Sequence, residues 1–347
     1  MCYDRVRLFI LTLFIETGDI IMPTLKDVAQ KAGVTVTTVS RVINNRGYLS
    51  EETKQKVNAA MNELHYRPNE LARSLTKQTS NTIGVITPHI THPYYAQLIS
   101  HIERAASSQG FKILLCNSKE RHSREAEYID LCKSNRVTGI IFCGMILTSE
   151  KYTHPDSTYV SIECNSPLCA TNILCDNYTG GSIATEHLIS LGCKNLLLFG
   201  GIINHSMPGD ERSRAFNETC ARYGVSHQEA RMADTSYYAM DYRAFISQTL
   251  EKNPDTDGIF ASSDVIAAQV IQVATQMGRR IPEDIKLVGF DDVALSTMTT
   301  PTITTIHQPT KEMAEMAVDC LIKSSRQETV ASKIILPVHL VKRQSTG

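Results

Sequence analysis

The 347-residue sequence lacks the short motifs by which the common enzyme classes are recognised. It contains no GxGxxG loop for dinucleotides, no GxxxxGKS/T loop for nucleotide phosphates, no GxSxG turn for a nucleophilic serine and no HExxH pair for catalytic zinc. Each motif places the groups that its chemistry requires, so these absences argue against the corresponding enzymes. We therefore predict a protein that is not an enzyme and that needs no cofactor.

The sequence also lacks the cysteine spacing of a disulfide framework or a structural zinc site. Its ten cysteines include no CxxC pair. The closest group, Cys164, Cys169 and Cys175, has no histidine at metal-ligand spacing. His89 and His92 would at best form a weak pair in a loop. We predict reduced, buried thiols and no metal site.

No apolar run in the sequence is long enough to cross a membrane. The most apolar stretch, residues 8–15, follows two arginines as in a signal peptide, but no small-residue cleavage site follows it. Because Met22 directly precedes a well-defined helix start, we interpret residues 1–21 as an extension added by gene calling. Cleavage of an export signal is the alternative. The expected location is the cytoplasm.

A strong excess of basic residues is also absent, since the formal net charge is only −1. The charge is unevenly distributed, however. Residues 22–77 carry +4, whereas residues 78–347 carry −4. This distribution favours nucleic acid binding by the first segment alone.

The basic segment carries the pattern of three short amphipathic helices. Thr24, with Asp27 three residues later, predicts a capped helix start, and Gly33 predicts the end of that helix. Thr35 and Ser50 are the predicted caps of the second and third helices. The apolar positions predicted to form one shared core are Leu25, Val28, Ala29, Ala32, Val34, Val39, Val42, Ile43, Val57, Ala60, Met61 and Leu64.

The second of these helices has an outward face of hydroxyls with a single arginine. Its residues are Val36, Thr37, Thr38, Ser40 and Arg41. Such a face is suited to hydrogen bonding in a DNA major groove. Ordinary packing of a small helical bundle is the alternative. We predict a helix-turn-helix over residues 24–45.

A fourth helical segment, residues 69–75, begins with a cap at Asn69 and is too short to be stable alone in water. At this point the sequence TLKDVAQKAGVTVTTVSRVINNRGYLSEETKQKVNAAMNELHYRPNELARSL resembles the N-terminal domain of the LacI/GalR family of bacterial regulators. In that family the matching segment is a hinge helix that folds on operator DNA. The leucine that matches Leu75 wedges into the minor groove. Simple packing of Leu75 in a linker is the alternative.

The resemblance also implies which residues contact DNA. Val36 and Thr37 match the family's specificity positions, and Arg41 matches its base-contacting arginine. Thr24, Thr35 and Asn44 match positions that contact phosphates in the family. The whole set of predicted DNA-binding residues is Thr24, Thr35, Val36, Thr37, Thr38, Ser40, Arg41, Asn44, Asn69, Arg73 and Leu75.

From residue 82 onward, short apolar runs alternate with amphipathic stretches, which predicts parallel α/β sheets. There are more strands than one compact sheet needs, so we expect two subdomains. The region resembles the periplasmic-binding-protein fold that the family uses as its sensor. The predicted fold class is thus an all-α helix-turn-helix domain with a hinge helix, followed by an α/β periplasmic-binding-protein-like sensor with two parallel-sheet subdomains. The predicted boundaries are 22–68, 69–77 and 78–347.

In parallel sheets, ligands bind beyond the carboxyl ends of the strands, so residues just after strands are the candidates. The resemblance adds an arginine from the segment DERSRAF. The predicted effector-binding residues are His89, Tyr94, Tyr95, Glu163, Arg214, Phe260, Ser263, Asp264, Asp291 and Gln308. Core packing, surface ion pairing or, for Asp176 and Asp264, capping of the next helix are the alternatives. Asp291 and Asp292 should point in opposite directions and should not share a substrate.

These features predict a homodimeric repressor that binds double-stranded operator DNA at an imperfect palindrome and responds to a small-molecule effector. Whether the effector releases or favours DNA stays open, because linkage permits both signs. A likeness of INNRGYLSEETKQKV and ILLCNS to sucrose- and ribose-type repressors favours a sugar over a purine corepressor. A solute-binding receptor with the same sensor fold is the strongest rival, and a sugar-converting enzyme is a weaker one.

Overall fold

The computed structural model describes residues 23–44, 46–67, 80–118, 122–144, 158–202, 207–232 and 240–347. Internal contacts divide the chain into two units, Met1–Gln78 and Thr79–Gly347. The described helices include none with the length and apolar character needed to cross a bilayer. The nine described cysteines form no disulfide and are all buried, as predicted.

The first unit contains three helices, α1 (Leu25–Ala32), α2 (Val36–Ile43) and α3 (Glu51–Glu63). Thr24, Thr35 and Ser50 cap them as predicted, each accepting a hydrogen bond from a backbone N–H three residues later. Gly33 ends α1 with φ at 66°. The fully or nearly fully buried centre consists of Val28, Ala29, Val39, Val57 and Ala60, and the other predicted core positions pack around it.

The second unit contains twelve described strands. They are β1 (Thr82–Thr87), β2 (Lys112–Asn117), β3 (Gly139–Cys143), β4 (Tyr159–Ile162), β5 (Thr171–Cys175), β6 (Asn195–Ile202), β7 (Ser226–Met232), β8 (Gly258–Ala261), β9 (Lys286–Asp291), β10 (Thr304–His307), β11 (Lys333–Leu336) and β12 (His339–Val341). The helices between them are α4 (Pro93–Ser108), α5 (His122–Ser134), α6 (Asn177–Ser190), α7 (Asp210–Tyr223), α8 (Arg243–Lys252), α9 (Asp264–Gln276), α10 (Leu295–Met298) and α11 (Thr310–Ser325), and a 3-10 turn follows at Gln344–Thr346.

The strands form two six-stranded sheets. The first has the order β11-β5-β4-β3-β1-β2 and is parallel throughout. The second has the order β12-β10-β9-β8-β6-β7 and is parallel except for β12, which pairs antiparallel with β10. Two sheets of alternating strands and helices confirm the predicted fold class.

The described chain passes between the two sheets at three places. It leaves the first sheet after β5 at Asp176, returns after β10 at Gln308, and leaves again between β11 and β12. Each crossing lies at the carboxyl end of a strand. Side chains next to the crossings therefore reach the space between the two sheets.

Candidate DNA-binding surface and effector cavity

Helix α2 presents the outward face that the sequence predicted. Thr35, Thr37 and Arg41 are exposed, and Val36 is 42% exposed although it is apolar. An exposed valine beside hydroxyls suits contact with a thymine methyl group better than it suits water. Thr38 is half-buried.

Several of the predicted DNA-binding side chains also hold the local structure. Asn44 Nδ2 donates to Ser40 O at 2.8 Å, and Arg41 Nε donates to Arg46 O at 3.4 Å. The Thr24 hydroxyl is 2.7 Å from Asp27 Oδ2 in a reciprocal cap. These hydrogen bonds are made within the protein itself and do not require DNA. The remaining predicted residues Asn69, Arg73 and Leu75 lie outside the described residues.

The second unit encloses a small space of about 110 Å³, here called the effector cavity. It lies where the carboxyl ends of strands from both sheets meet, as predicted. Its wall includes six of the residues predicted for effector binding. The lining residues are His92, Tyr94, Tyr95, Glu163, Gly201, Met207, Gly209, Asp210, Arg212, Ser262, Ser263, Ile266, Asp291 and Gln308.

Arg212, on the first turn of α7, is the only cation of this wall in the described chain. Its side chain is 11% exposed. Nε donates to Asn177 Oδ1 at 2.6 Å, Nη1 donates to Ser262 O at 2.8 Å, and the guanidinium carbon lies 3.5 Å from the centre of the Phe290 ring. The ring and the two hydrogen bonds hold the guanidinium flat against the cavity wall.

The sequence analysis predicted Arg214 as the effector-binding arginine, but the structure places Arg214 outside the cavity wall. Arg214 is 55% exposed, pairs with Glu211 and Glu218, and stacks over the Tyr178 ring. Two residues correspond to roughly 200° around an α-helix, so Arg214 points away from the face that carries Arg212. The periodicity of α7 could have identified the inward arginine, because Arg212 lies three and four residues before the buried Ala215 and Phe216.

Glu163 is buried at the end of β4 in a left-handed conformation, with φ at 52°. Its Oε1 accepts from Cys175 N at 2.6 Å, and its Oε2 accepts from Asn177 Nδ2 at 3.0 Å. Arg212 Nη2 lies 3.9 Å from Oε2. Asn177 thus links the carboxylate to the guanidinium, and sequence reasoning had missed it.

Asp291 ends β9 with φ at 112°, a conformation that is strained for a residue with a side chain. Its Oδ1 accepts from Gln308 Nε2 at 2.7 Å. Burial raises its pKa to about 7, against the opposing effect of Arg212. Asp292 turns the other way, as predicted, and pairs with His307 and Arg343.

The aromatic side of the cavity comes from the start of α4. Tyr94 and Tyr95 are buried and meet edge to face, with ring centres 5.2 Å apart. His92 caps the helix by accepting from Tyr94 N at 3.3 Å. Burial, assisted by His89, lowers the pKa of His92 to about 4, so this ring is neutral near pH 7.

Three other predicted effector residues lie outside the cavity wall. Phe260 is fully buried between Phe216 and Phe290 in the core. Asp264 is also fully buried and accepts from Thr305 Oγ1 at 2.6 Å and from Val293 N at 3.0 Å. His89 is half-buried and is not among the lining residues.

The capping alternative holds for Asp176 but not for Asp264. Asp176 caps α6 by accepting from Thr179 N at 2.9 Å, as the capping alternative stated. The cap of α9 is Ser263, not Asp264, and Ser263 also lines the effector cavity. The described residues contain no group of three or more His, Cys, Asp or Glu arranged to hold a metal ion.

Comparison with known proteins decides the family. Residues 24–69 match the description "Bacterial regulatory proteins, lacI family", and residues 185–346 match "Periplasmic binding protein-like domain". The ribose operon repressor of Halalkalibacterium halodurans is 35% identical over 332 residues, which cover 94% of this chain and 97% of the relative. The chain belongs to the lacI family.

Other members of the lacI family agree over the same length. The sucrose operon repressor of Streptococcus mutans is 34% identical over 321 residues, covering 92% of this chain and 98% of the relative. The crystal structure of the Lac repressor dimer bound to operator and the anti-inducer ONPF superposes with a TM-score of 0.82 at 27% identity, over 93% of this chain and 99% of the other.

Membership of the lacI family makes this chain a DNA-binding transcription regulator and not an enzyme. The rival reading as a solute-binding receptor is not favoured, because the matches to repressors include the helix-turn-helix at the front of the chain.

Proposed function

We propose that this protein is a homodimeric repressor of an operon for carbohydrate use, acting in the cytoplasm, and that it releases its operator when a sugar occupies the effector cavity. The observation that carries the ligand assignment is a pair of buried polar atoms on two residues of the cavity wall. The Tyr94 hydroxyl and Gln308 Oε1 have no hydrogen-bond partner within the described chain. A buried polar group without a partner costs about 1–3 kcal/mol, so a ligand that supplies partners is favoured.

Sugar hydroxyls match these two atoms, because each hydroxyl both donates and accepts hydrogen bonds. Gln308 Oε1 needs a donor, and the Tyr94 hydroxyl can use either kind of partner. The carboxylate of Glu163 provides a further acceptor for ligand hydroxyls, and charge-assisted hydrogen bonds of this kind are the stronger ones. Asp291, with a pKa of about 7, can either donate to or accept from a ligand hydroxyl near neutral pH.

The charge of the wall favours a neutral ligand. Glu163, Asp210 and Asp291 face the effector cavity with Arg212 as the single lysine or arginine of the described wall. A phosphate group would meet more carboxylates than cations, which disfavours sugar phosphates. Similar proteins named ribose and sucrose operon repressors are consistent with a neutral sugar.

On the DNA side, we propose that α2 of each protomer enters the major groove of one half-site of an imperfect palindrome. Val36, Thr37 and Arg41 would contact base edges, and Thr24, Thr35 and Asn44 would contact phosphates. Residues 69–75 would form the hinge helix, with Leu75 as the minor-groove wedge. The boundaries 22–68, 69–77 and 78–347 are part of this proposal. Dimer formation is supported by the similar Lac repressor dimer on its operator.

Thermal unfolding of the full chain with candidate ligands tests the ligand class. The panel contains neutral sugars, the corresponding sugar phosphates, and adenine, guanine and hypoxanthine. We expect a neutral sugar at 100 times its Kd to stabilise the fold by about 2.7 kcal/mol, with no effect of purines. Stabilisation by purines alone would overturn the sugar assignment in favour of a purine corepressor.

A further inference from the structure

A second and larger space adjoins the effector cavity in the same unit. This outer cavity measures about 540 Å³ and shares Glu163 and Met207 with the effector cavity. The effector cavity alone, at about 110 Å³, is well below the roughly 300–1,000 Å³ of ordinary small-molecule pockets. A ligand that used only the smaller space would leave the larger one to water.

Hydrogen-bonded side chains lie where the two cavities meet. Glu163 lines both cavities, Asn177 lines the outer cavity and Arg212 lines the effector cavity, and Asn177 is bonded to both charged groups. Glu163 is 8% exposed and borders both spaces, so its carboxylate faces the junction. Beside it, Met207 has an unbranched, adaptable side chain that can move aside for a ligand.

The walls of the outer cavity combine apolar surface with hydrogen-bond acceptors. The apolar part is made by Leu174, Met207, Pro208 and Ile335. Among the described residues of its wall, the charged part carries Glu163, Asp176 and Glu211 against a single cation, Lys333. This balance disfavours anions and suits a neutral ring with an apolar face and a rim of hydroxyls.

We propose that the effector contains at least two sugar rings, one held in the effector cavity and the second in the outer cavity, with Glu163 at the junction. This inference rests on the proposed function, because it extends the same ligand beyond its first ring. It assigns a specific role to Ile335 on β11, whose 54% exposed side chain would support the apolar face of the second ring.

Isothermal titration of the full chain with sucrose, maltose, cellobiose and lactose, and with glucose, fructose and galactose, tests the proposal. We expect one disaccharide to bind at least tenfold more tightly than either of its component monosaccharides. Ile335→Trp, which fills the outer cavity, should remove that advantage while the monosaccharide affinity stays within twofold. The retained monosaccharide binding reports that the variant is folded.

Leu131→Trp is the matched control, because Leu131 is 41% exposed on α5 and lines neither cavity. It should leave the affinities for both sugars unchanged. Equal affinity for mono- and disaccharides, or an unchanged disaccharide affinity in Ile335→Trp, would contradict the proposal that a second ring binds in the outer cavity. Neither result would contradict the proposal that the effector is a sugar. Failure of all seven sugars to bind would overturn the sugar effector itself.

Discussion

Asp291 is a carboxyl group of the effector-cavity wall whose pKa is raised toward neutral pH. It is buried beside the carboxylates of Glu163 and Asp264, with Arg212 as the nearest compensating cation and Gln308 as its hydrogen-bond donor. Burial raises its pKa from the ordinary value of 3.8 to about 7. The folded protein therefore holds a proton on Asp291 at a pH where the unfolded chain has released it.

This shift makes the fold less stable as pH rises. The stability associated with a raised folded-state pKa is fully present below about 4 and is lost as pH rises through about 7. We expect Asp291→Asn, which keeps an acceptor for Gln308, to remove this loss. The midpoint of thermal unfolding of Asp291→Asn should exceed that of the parent protein, by a difference that grows from pH 5 to pH 8. The difference is at most about 4 kcal/mol, since each pKa unit is worth about 1.4 kcal/mol.

Asp292→Asn is the matched control, because Asp292 is the adjacent residue with the opposite shift. Although burial acts to raise its pKa, hydrogen bonds from His307 and Arg343 lower it overall. Its contribution to stability is therefore present above about 4 and lost as pH falls. A parallel pH profile for Asp291→Asn and the parent protein would show that Asp291 does not titrate in this window.

At the scale of secondary structure elements, helix α7 determines which arginine faces the effector cavity. Arg212 and Arg214 lie on one helix, but only Arg212 shares the inward face with Ala215 and Phe216. The helix begins with Asp210 and Glu211 in its first turn, which suits the positive end of the helix dipole.

We expect Arg212→Ala to weaken binding of the stabilising sugar at least a hundredfold, because the ligand loses its cationic contact and Glu163 loses its neighbour. Arg214→Ala, the exposed control on the same helix, should bind within twofold of the parent protein. Calorimetric titration of both variants, with thermal midpoints measured without ligand, makes the comparison. A larger loss of affinity in Arg214→Ala than in Arg212→Ala would instead support Arg214, the arginine predicted from the sequence.

The elements show how far a sequence alone can predict this protein. The three helices of the first unit were predictable because caps at Thr24, Thr35 and Ser50 coincide with apolar periodicity. Strand β7 could not be recognised from its sequence SHQEARM, which is polar, as suits a strand at the edge of a sheet. The left-handed turns at Glu163 and Asp291 depend on tertiary contacts, so no local pattern indicates them.

Site residues were predictable by position more than by direction. Residues that follow strands, such as Glu163, Asp291 and Gln308, do reach the effector cavity, because parallel strands end at one edge. Position after a strand does not indicate whether a side chain reaches the cavity wall or is buried behind it. Phe260 and Asp264 lie one layer below the wall, and the sequence gives no measure of that layer.

At the scale of the whole molecule, the effector cavity takes wall residues from both sheets, between which the described chain crosses three times. A sugar bound there would contact both sheets and would favour the arrangement that it binds more tightly. We propose that the arrangement with bound sugar has the lower operator affinity. An operon for using a sugar needs to be expressed when that sugar is present, which favours release.

Fluorescence anisotropy with DNA from upstream of the protein's own gene tests this coupling most directly. Operator affinity is measured for the parent protein and for Arg212→Ala, with and without the sugar that stabilises the fold, at several salt concentrations. We predict tight binding that weakens steeply with salt, a loss of about 5–150-fold when sugar is added to the parent protein, and no response in Arg212→Ala. An operator affinity that stays the same while sugar is bound to the parent protein would contradict the account.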